Sequence, residues 1–230
     1  MIGRALLLRE ESAEYEEPLQ RIGLESDFVP VLDFEYISEL SLQELLGRDP
    51  APTLIVTSPR AAEAIGRLAL RAPVRAGKAF AVGEETASRL RALGFEVVGE
   101  QTGHAEALAN LVIHARPSGP LVFLCGDRRR ETLPDLLNAA GVDFDELTVY
   151  RTLLLDPPFA IAAARYDWVA VFSPSSLEAA QTDPAFPWGG RLAAIGRTTA
   201  DAIAAAGLKV EAVAERPSPE GLAIAIADSH

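Results

Sequence analysis

Two stretches of the chain share one pattern about half a chain length apart: AVGEETASRLRALGFEVV at 81–98 and AIGRTTADAIAAAGLKVE at 194–211. In each, a short apolar run ends in a glycine, a threonine follows, and a segment suited to a helix ends at a second glycine. The first glycine permits a tight turn, and we expect the hydroxyls of Thr86 and Thr199 to cap free N–H groups where the helix begins. Each copy therefore predicts a strand, a helix and the start of another strand.

Other segments recur in the same order around these two copies. LIVTSPRA at 54–61 corresponds to VFSPSS at 171–176, and FVPVLDFEYI at 28–37 corresponds to DELTVYRTLLL at 145–155. Pro30 indicates that the start of the 28–37 segment is an edge or a linker rather than a central strand. Strands that alternate with helices predict parallel sheets covered on both faces. The repeated order predicts two α/β domains that arose by internal duplication.

Composition excludes several classes of protein. The chain has 230 residues, of which 49% are hydrophobic and 23% charged, as is typical of a folded globule. A net charge of −12 argues against general nucleic-acid binding, which needs a basic face. No apolar run approaches the roughly 18 residues that span a membrane, and the first residues do not resemble a signal peptide. We therefore expect a cytoplasmic protein that binds neither nucleic acid nor membrane.

The single cysteine, Cys125, has no partner for a disulfide, and the three histidines have no metal-ligand spacing. We expect Cys125 to be a small buried apolar residue. No phosphate-binding or dinucleotide-binding motif is present.

Polar loops follow the predicted strands. Parallel sheets bind ligands beyond the carboxyl ends of their strands. Hydroxyl groups, glycines and arginines dominate these loops, which lie at 9–10, 58–60, 83–86, 126–130, 173–176 and 196–199. The pattern predicts a site for a ligand with several negative charges.

The loops TSPRA, AVGEETA, LCGDRRRETL, LTVYRT, FSPSS and AAIGRTTADAIAAAGL, in this order over nearly the whole chain, resemble the uroporphyrinogen-III synthase family. The resemblance implies two flavodoxin-like domains joined by a two-stranded linker, with the active site in the cleft between them. The implied first domain comprises 1–33 and 154–230, and the second 34–153. The linkers then lie at about 31–37 and 149–155.

The resemblance also implies a reaction without a cofactor. Hydroxymethylbilane, a linear tetrapyrrole with eight carboxylates, is closed to uroporphyrinogen III with inversion of its last ring and loss of water. A monomer is expected. Tyr150 matches the tyrosine of the family's cleft, where its phenol would assist departure of the terminal hydroxyl. Arg191 stands where the family often has a basic residue, and Arg197 stands where proline is frequent.

Tyr150 is thus the predicted catalytic residue. The predicted substrate-binding residues are Ser58, Arg60, Gly83, Thr86, Gly126, Arg128, Ser173, Ser175, Ser176, Arg191, Gly196, Thr198 and Thr199.

Each of these residues also has a structural interpretation. Tyrosine is common in strands, threonine and serine are common helix caps and turn residues, and an exposed arginine is often only surface. The alternative function is a non-catalytic, two-lobed binding or regulatory protein for an anionic small molecule.

Overall fold

A computed structural model of the protein describes residues 3–155, 166–182, 184, 186 and 188–229. The chain divides into two compact units. The first unit combines residues up to Asp33 with those from Leu153 onward, and the second unit is Phe34–Thr152. That the units are independent domains, 1–33 with 154–230 and 34–153, stays a prediction.

The described residues form eleven strands: β1 (Gly3–Leu7), β2 (Leu24–Phe28), β3 (Leu32–Tyr36), β4 (Thr53–Val56), β5 (Lys78–Ala81), β6 (Glu96–Val98), β7 (Leu121–Gly126), β8 (Asp145–Leu154), β9 (Trp168–Val171), β10 (Arg191–Ala194) and β11 (Val210–Val213). They also form nine α-helices: α1 (Ala13–Arg21), α2 (Glu39–Leu46), α3 (Pro59–Ala69), α4 (Glu84–Ala92), α5 (Ala105–Ala115), α6 (Thr132–Ala139), α7 (Pro174–Gln181), α8 (Arg197–Ala205) and α9 (Pro219–Ala227). A 3-10 turn spans Glu100–Thr102. None of these helices is long and apolar enough to cross a membrane.

The first unit contains a five-stranded sheet in the order β11-β10-β9-β1-β2, and its strand pairs are parallel. Numbered along the chain within the unit, this order is 2-1-3-4-5, which is the flavodoxin-like order. The predicted α/β fold class with parallel sheets is confirmed.

The second unit contains the order β8-β7-β4-β5-β6, again with parallel pairs, and β3 is added beyond β8. When β7 is counted as the first strand, this order is again 2-1-3-4-5, as in the first unit. The chain, however, enters this sheet at the strand that is third in that count, β4. A duplication would leave such a shared order, and we propose that origin for the two units.

Strands β4 and β7, in the middle of the second sheet, are buried on both faces. In β4, Leu54 and Val56 belong to one apolar cluster and Ile55 belongs to another on the opposite face, because side chains alternate along a strand. Helix α3 covers the first face with Ile65, and α6 covers the second with Leu137. Burial on both sides explains why these strands are continuous apolar runs in the sequence.

The segment 28–37 is not one continuous strand, and the break falls at Pro30. Residues up to Phe28 belong to β2 in the first sheet, and β3 begins only at Leu32. Pro30 lies between them, where its missing N–H costs no ladder hydrogen bond.

Strands β3 and β8 pair with each other. Ile37 N–H donates to Val149 O at 3.0 Å, and Leu155 N–H donates to Val31 O at 2.9 Å. The partner number falls as the residue number rises, so the two strands are antiparallel.

Strand β8 contains a bulge beside the end of β7. Cys125 pairs with Thr148, whereas the next residue, Gly126, pairs with Tyr150. Val149 is the extra residue, and its side chain is buried. The shift alters the face on which Tyr150 lies relative to β7.

Two leucines near the end of α3 test the core assignment. Leu68 is 2% exposed and Leu70 is 88% exposed. We expect Leu68→Ala to lower the free energy of unfolding by about 2–5 kcal/mol because it leaves a cavity. The matched change Leu70→Ala should alter it by less than about 0.5 kcal/mol. Urea denaturation of both variants measures the difference, and equal losses would contradict the assignment.

Candidate functional site

The ends of β4 and β7 lie side by side in the second unit, and the chain leaves them toward opposite faces of the sheet. Such a divergence opens a crevice at the carboxyl ends of the strands, where open α/β sheets bind ligands. Ser58 and Arg60 follow β4, and Gly126 ends β7. The crevice therefore brings together predicted residues from two separate loops.

Tyr150 reaches this crevice from the neighbouring strand β8. Its phenol donates a hydrogen bond to Ser58 Oγ at 3.1 Å. To do so, the ring passes over Gly126: a Cβ at position 126 would lie 2.7 Å from Tyr150 Oη and nearer still to two ring carbons. Gly126 therefore leaves room for the tyrosine ring, and its predicted contact with substrate stays a prediction.

Ser58 is the N-cap of α3, and its Oγ also accepts a hydrogen bond from the backbone N–H of Arg60 at 3.2 Å. The hydroxyl oxygen thus receives two donors. A hydroxyl has one proton and two lone pairs, so the Ser58 proton remains available to a third group.

Arg60 lies flat on an aromatic ring. Its guanidinium carbon is 3.3 Å from the ring centroid of Phe34. Its Nε is buried and has no hydrogen-bond partner among the described residues. By contrast, seven other arginines of the second unit form ion pairs with carboxylates: Arg67, Arg71, Arg75, Arg89, Arg91, Arg129 and Arg151.

The repeated threonines do not cap their helices. The N-caps of α4 and α8 are Gly83 and Gly196, and neither helix has a side-chain cap hydrogen bond. Thr86 and Thr199 are instead third residues of the helices, with exposures of 2% and 4%. The capping expectation was wrong because each N-cap glycine stands three positions before the threonine, which therefore lies inside the first turn of the helix. Thr198 is exposed at the start of α8.

The serines after β9 stabilise the start of α7. Ser173 is the N-cap and forms a reciprocal capping box with Ser176, whose side chain is 1% exposed. Ser173 Oγ accepts from Ser176 N–H at 3.0 Å, and Ser176 Oγ accepts from Ser173 N–H at 2.9 Å. Ser175 is half-buried beside them. The capping box thus gives the hydroxyls of Ser173 and Ser176 a structural role at the start of α7.

Arg191 lies away from the other candidates. It is the first residue of β10 and therefore lies at the amino end of that strand. The candidate loops lie at the opposite edge of the sheet, because they follow the carboxyl ends of the strands. Its guanidinium donates to Ser229 O at 2.6 Å and lies 4.3 Å from the ring centroid of Trp168. This placement disagrees with a role in the loop site, and we leave Arg191 out of it.

Arg128 is exposed on the loop after β7.

Sequence reasoning missed two aromatic supports. Phe34 contacts both Arg60 and the edge of the Tyr150 ring, whose centroid is 6.1 Å away. In the first unit, Arg9 follows β1 and lies over the rings of Tyr15 and Phe172, at 4.3 and 5.0 Å. Alternation in β3 was the available signal for Phe34, since Leu32, Phe34 and Tyr36 are less exposed than Asp33 and Glu35, which alternate with them.

Two other titratable groups near these loops have altered pKa values. Burial, with a hydrogen bond to Glu63, raises the pKa of Tyr36 to about 12. Burial also raises the pKa of the Cys125 thiol, which is 2% exposed. The thiol is therefore protonated near neutral pH and is not a ready nucleophile. Among the described residues, no group of His, Cys, Asp and Glu side chains could hold a metal ion.

The fold and these loops define a class: an α/β protein with flavodoxin-like sheets whose polar residues gather at the carboxyl ends of parallel strands.

Comparison with known proteins identifies the family. The model described as "Uroporphyrinogen-III synthase HemD" matches residues 13–224. The uroporphyrinogen-III synthase of Schizosaccharomyces pombe is 28% identical, over 96% of this chain and 95% of that protein. The enzyme of the same name from Saccharomyces cerevisiae is 27% identical, over 97% and 95%.

Solved structures agree on the fold. The uroporphyrinogen-III synthetase of Helicobacter pylori has a TM-score of 0.72 at 19% identity, covering 99% of both chains. A mutant uroporphyrinogen III synthase of Thermus thermophilus has a TM-score of 0.62 at 19% identity, covering 99% of this chain and 98% of that one. The chain belongs to the uroporphyrinogen-III synthase family.

The close approach at Gly126 gives a stability prediction. We expect Gly126→Ala to lower the free energy of unfolding by about 1–3 kcal/mol, because the new methyl group overlaps the Tyr150 ring. In a Tyr150→Ala background the same change should cost much less. Chemical denaturation of the two single variants and the double variant gives the coupling energy. Gly189→Ala, where an added Cβ meets open space, is the control. Additive losses would refute the overlap.

The raised pKa of Tyr36 gives a pH prediction. The folded-state pKa is about 12 against an ordinary value of 10.0, so the neutral phenol is favoured by folding. Its stabilising contribution is complete below pH 10 and is lost as the pH rises toward 12. Tyr36→Phe cannot ionise, so its stability should fall less steeply over this interval than that of the unaltered protein. Urea denaturation at several pH values measures both curves, and parallel curves would contradict the shift.

Proposed function

We propose that this protein cyclises hydroxymethylbilane to uroporphyrinogen III, inverting the last pyrrole ring and releasing water. It is a cyclising lyase of tetrapyrrole biosynthesis. The family match over residues 13–224 supports this reaction and does not favour the alternative of a non-catalytic binding or regulatory protein.

One observation carries the assignment of the site: the hydrogen bond from Tyr150 to Ser58 at the crevice between β4 and β7. In the reaction, the bond between the terminal carbon of the substrate and its hydroxyl oxygen breaks. A donor beside that oxygen lets the hydroxyl leave as water. We assign this donor to the Tyr150 phenol. The Ser58 hydroxyl holds the phenol in place when no substrate is bound.

The carbon that lost the hydroxyl then bonds to the substituted α-carbon of the last ring. The bond that joined this α-carbon to the preceding methylene breaks, the methylene bonds to the other α-carbon of the ring, and the proton on that carbon leaves, which inverts the ring. Closure at the unsubstituted carbon gives the uninverted isomer, so the protein must favour one geometry of the two ends. The eight carboxylates of the substrate offer many points at which it can be held. We propose that Arg60 binds one of them, since a planar guanidinium matches a carboxylate with two parallel hydrogen bonds.

The remaining polar loop residues are proposed carboxylate ligands of the same substrate. Helix N-termini at Gly83 and Gly196 offer backbone N–H groups that no side chain caps. Arg128 and Thr198 are exposed on their loops and can approach a ligand. We propose also that the enzyme is a cytoplasmic monomer that binds neither nucleic acid nor membrane.

An isomer assay tests the reaction. Hydroxymethylbilane is generated in place by the enzyme that precedes it, the products are oxidised, and the type I and type III porphyrins are separated by chromatography. We expect type III to dominate when this protein is present and type I when it is absent. The same isomer ratio in both reactions would reject the proposal.

Removal of one hydroxyl tests the role of Tyr150. We expect Tyr150→Phe to lower kcat for type III formation by about tenfold or more, because the leaving hydroxyl loses its proton donor. The ring and its packing over Gly126 remain, so the melting temperature should change little. Tyr36→Phe is the matched control, since it removes a phenol on β3 that hydrogen-bonds Glu63 instead. Equal activity of the two variants would remove the assigned role.

A further inference from the structure

Phe34 stands between the two candidate functional groups of the second unit. It lies on β3 and is partly buried. Its ring face meets the Arg60 guanidinium at 3.3 Å, and its ring is arranged edge-to-face with Tyr150 at an interplanar angle of 68°. One side chain thus contacts both the proposed carboxylate ligand and the proposed proton donor.

Arg60 depends on this contact for its orientation. No ion pair or hydrogen bond from its guanidinium reaches another of the described residues, and its Nε is buried. The Phe34 ring is the support that remains, since an aromatic face attracts a guanidinium laid on it. The ring restricts the rotamers of a long side chain, so less conformational entropy is lost when Arg60 binds an anion.

A second aromatic–arginine pair lies beside the first. Phe34 and Tyr36 are two residues apart on β3, so both rings lie on the same face of that strand. Arg60 and Arg67 are two helical turns apart on α3, so both arginines lie on the same face of that helix. Arg67 lies 4.4 Å from the ring centroid of Tyr36. However, Arg67 also pairs with Glu63 at 3.6 Å. Arg67, which lies on the Tyr36 ring, therefore has an ion-pair partner, whereas Arg60, on the Phe34 ring, pairs with no carboxylate among the described residues.

We propose that Phe34 is a positioning residue for the reaction: it holds the Arg60 guanidinium ready for a substrate carboxylate while it supports the Tyr150 ring. This inference rests on the proposed function.

The test is Phe34→Leu, which keeps apolar bulk beside Tyr150 but removes the aromatic face under Arg60. We expect KM for hydroxymethylbilane to rise about five- to tenfold, the factor that one cation–aromatic contact is worth, with kcat within about threefold. Phe34→Tyr should restore KM. In an Arg60→Gln background, Phe34→Leu should have almost no further effect on KM, because the group it positions is gone. Phe34→Met is the substitute if Phe34→Leu does not fold.

Tyr36→Leu is the matched control. It removes the neighbouring aromatic face from the same strand, and we expect it to leave KM within about twofold while it lowers the melting temperature about as much as Phe34→Leu. An equal rise of KM in both variants, or a Phe34→Leu effect that persists in the Arg60→Gln background, would overturn the proposal. These outcomes are read on an active parent enzyme. A parent protein that forms no type III product would instead reject the proposed function, and the role of Phe34 with it.

Discussion

The arrangement of the crevice in the second unit depends on a glycine at position 126, which has no side chain. The Tyr150 ring occupies the volume that a Cβ of residue 126 would fill, so the phenol can cross β7 and reach Ser58 on the far side. Strand order makes this crossing possible, because β7 lies between β8 and β4. The tyrosine of β8, the glycine that ends β7 and the serine that follows β4 therefore lie in contact, and the position of the phenol depends on both of the others.

Much of the fold could be predicted from the sequence because parallel strands buried on both faces are continuous apolar runs, and these runs recur in order. Ser58 and Arg60 could be named as candidates because they follow such a run, whereas Tyr150 was named from its match to the tyrosine of the family's cleft. The contacts among them could not be named, because they join residues about 90 positions apart through sheet order. Phe34 was missed for the same reason: a strand aromatic gives no sign in one dimension that it lies under an arginine. The threonines were wrong as caps because a helix boundary three residues earlier makes Gly83 and Gly196 the N-caps instead. Arg191 lies at the amino end of its strand, away from the loops that follow the strands.

Electrostatics places a separate demand on this protein. The chain carries a net charge of −12, and its proposed substrate carries eight carboxylates. The overall field opposes binding, so attraction has to come from groups within a few ångströms. Most of the arginines in the second unit are neutralised by neighbouring acids, which leaves little positive charge for a ligand. Arg60 differs from these arginines because the group that supports it is the Phe34 ring, which leaves its positive charge in place, and not a carboxylate.

The bulge in β8 determines where the phenol lies. With Val149 as the extra residue, Gly126 pairs with Tyr150 rather than with the residue before it. Loss of one residue from this strand would bring the side chains of β8 to the other face of the sheet and remove Tyr150 from the crevice, even with every functional side chain retained. The position of the Tyr150 phenol therefore depends on the length of β8 as well as on its residue types. A deletion of one residue there should displace the phenol even when no residue of the crevice is exchanged.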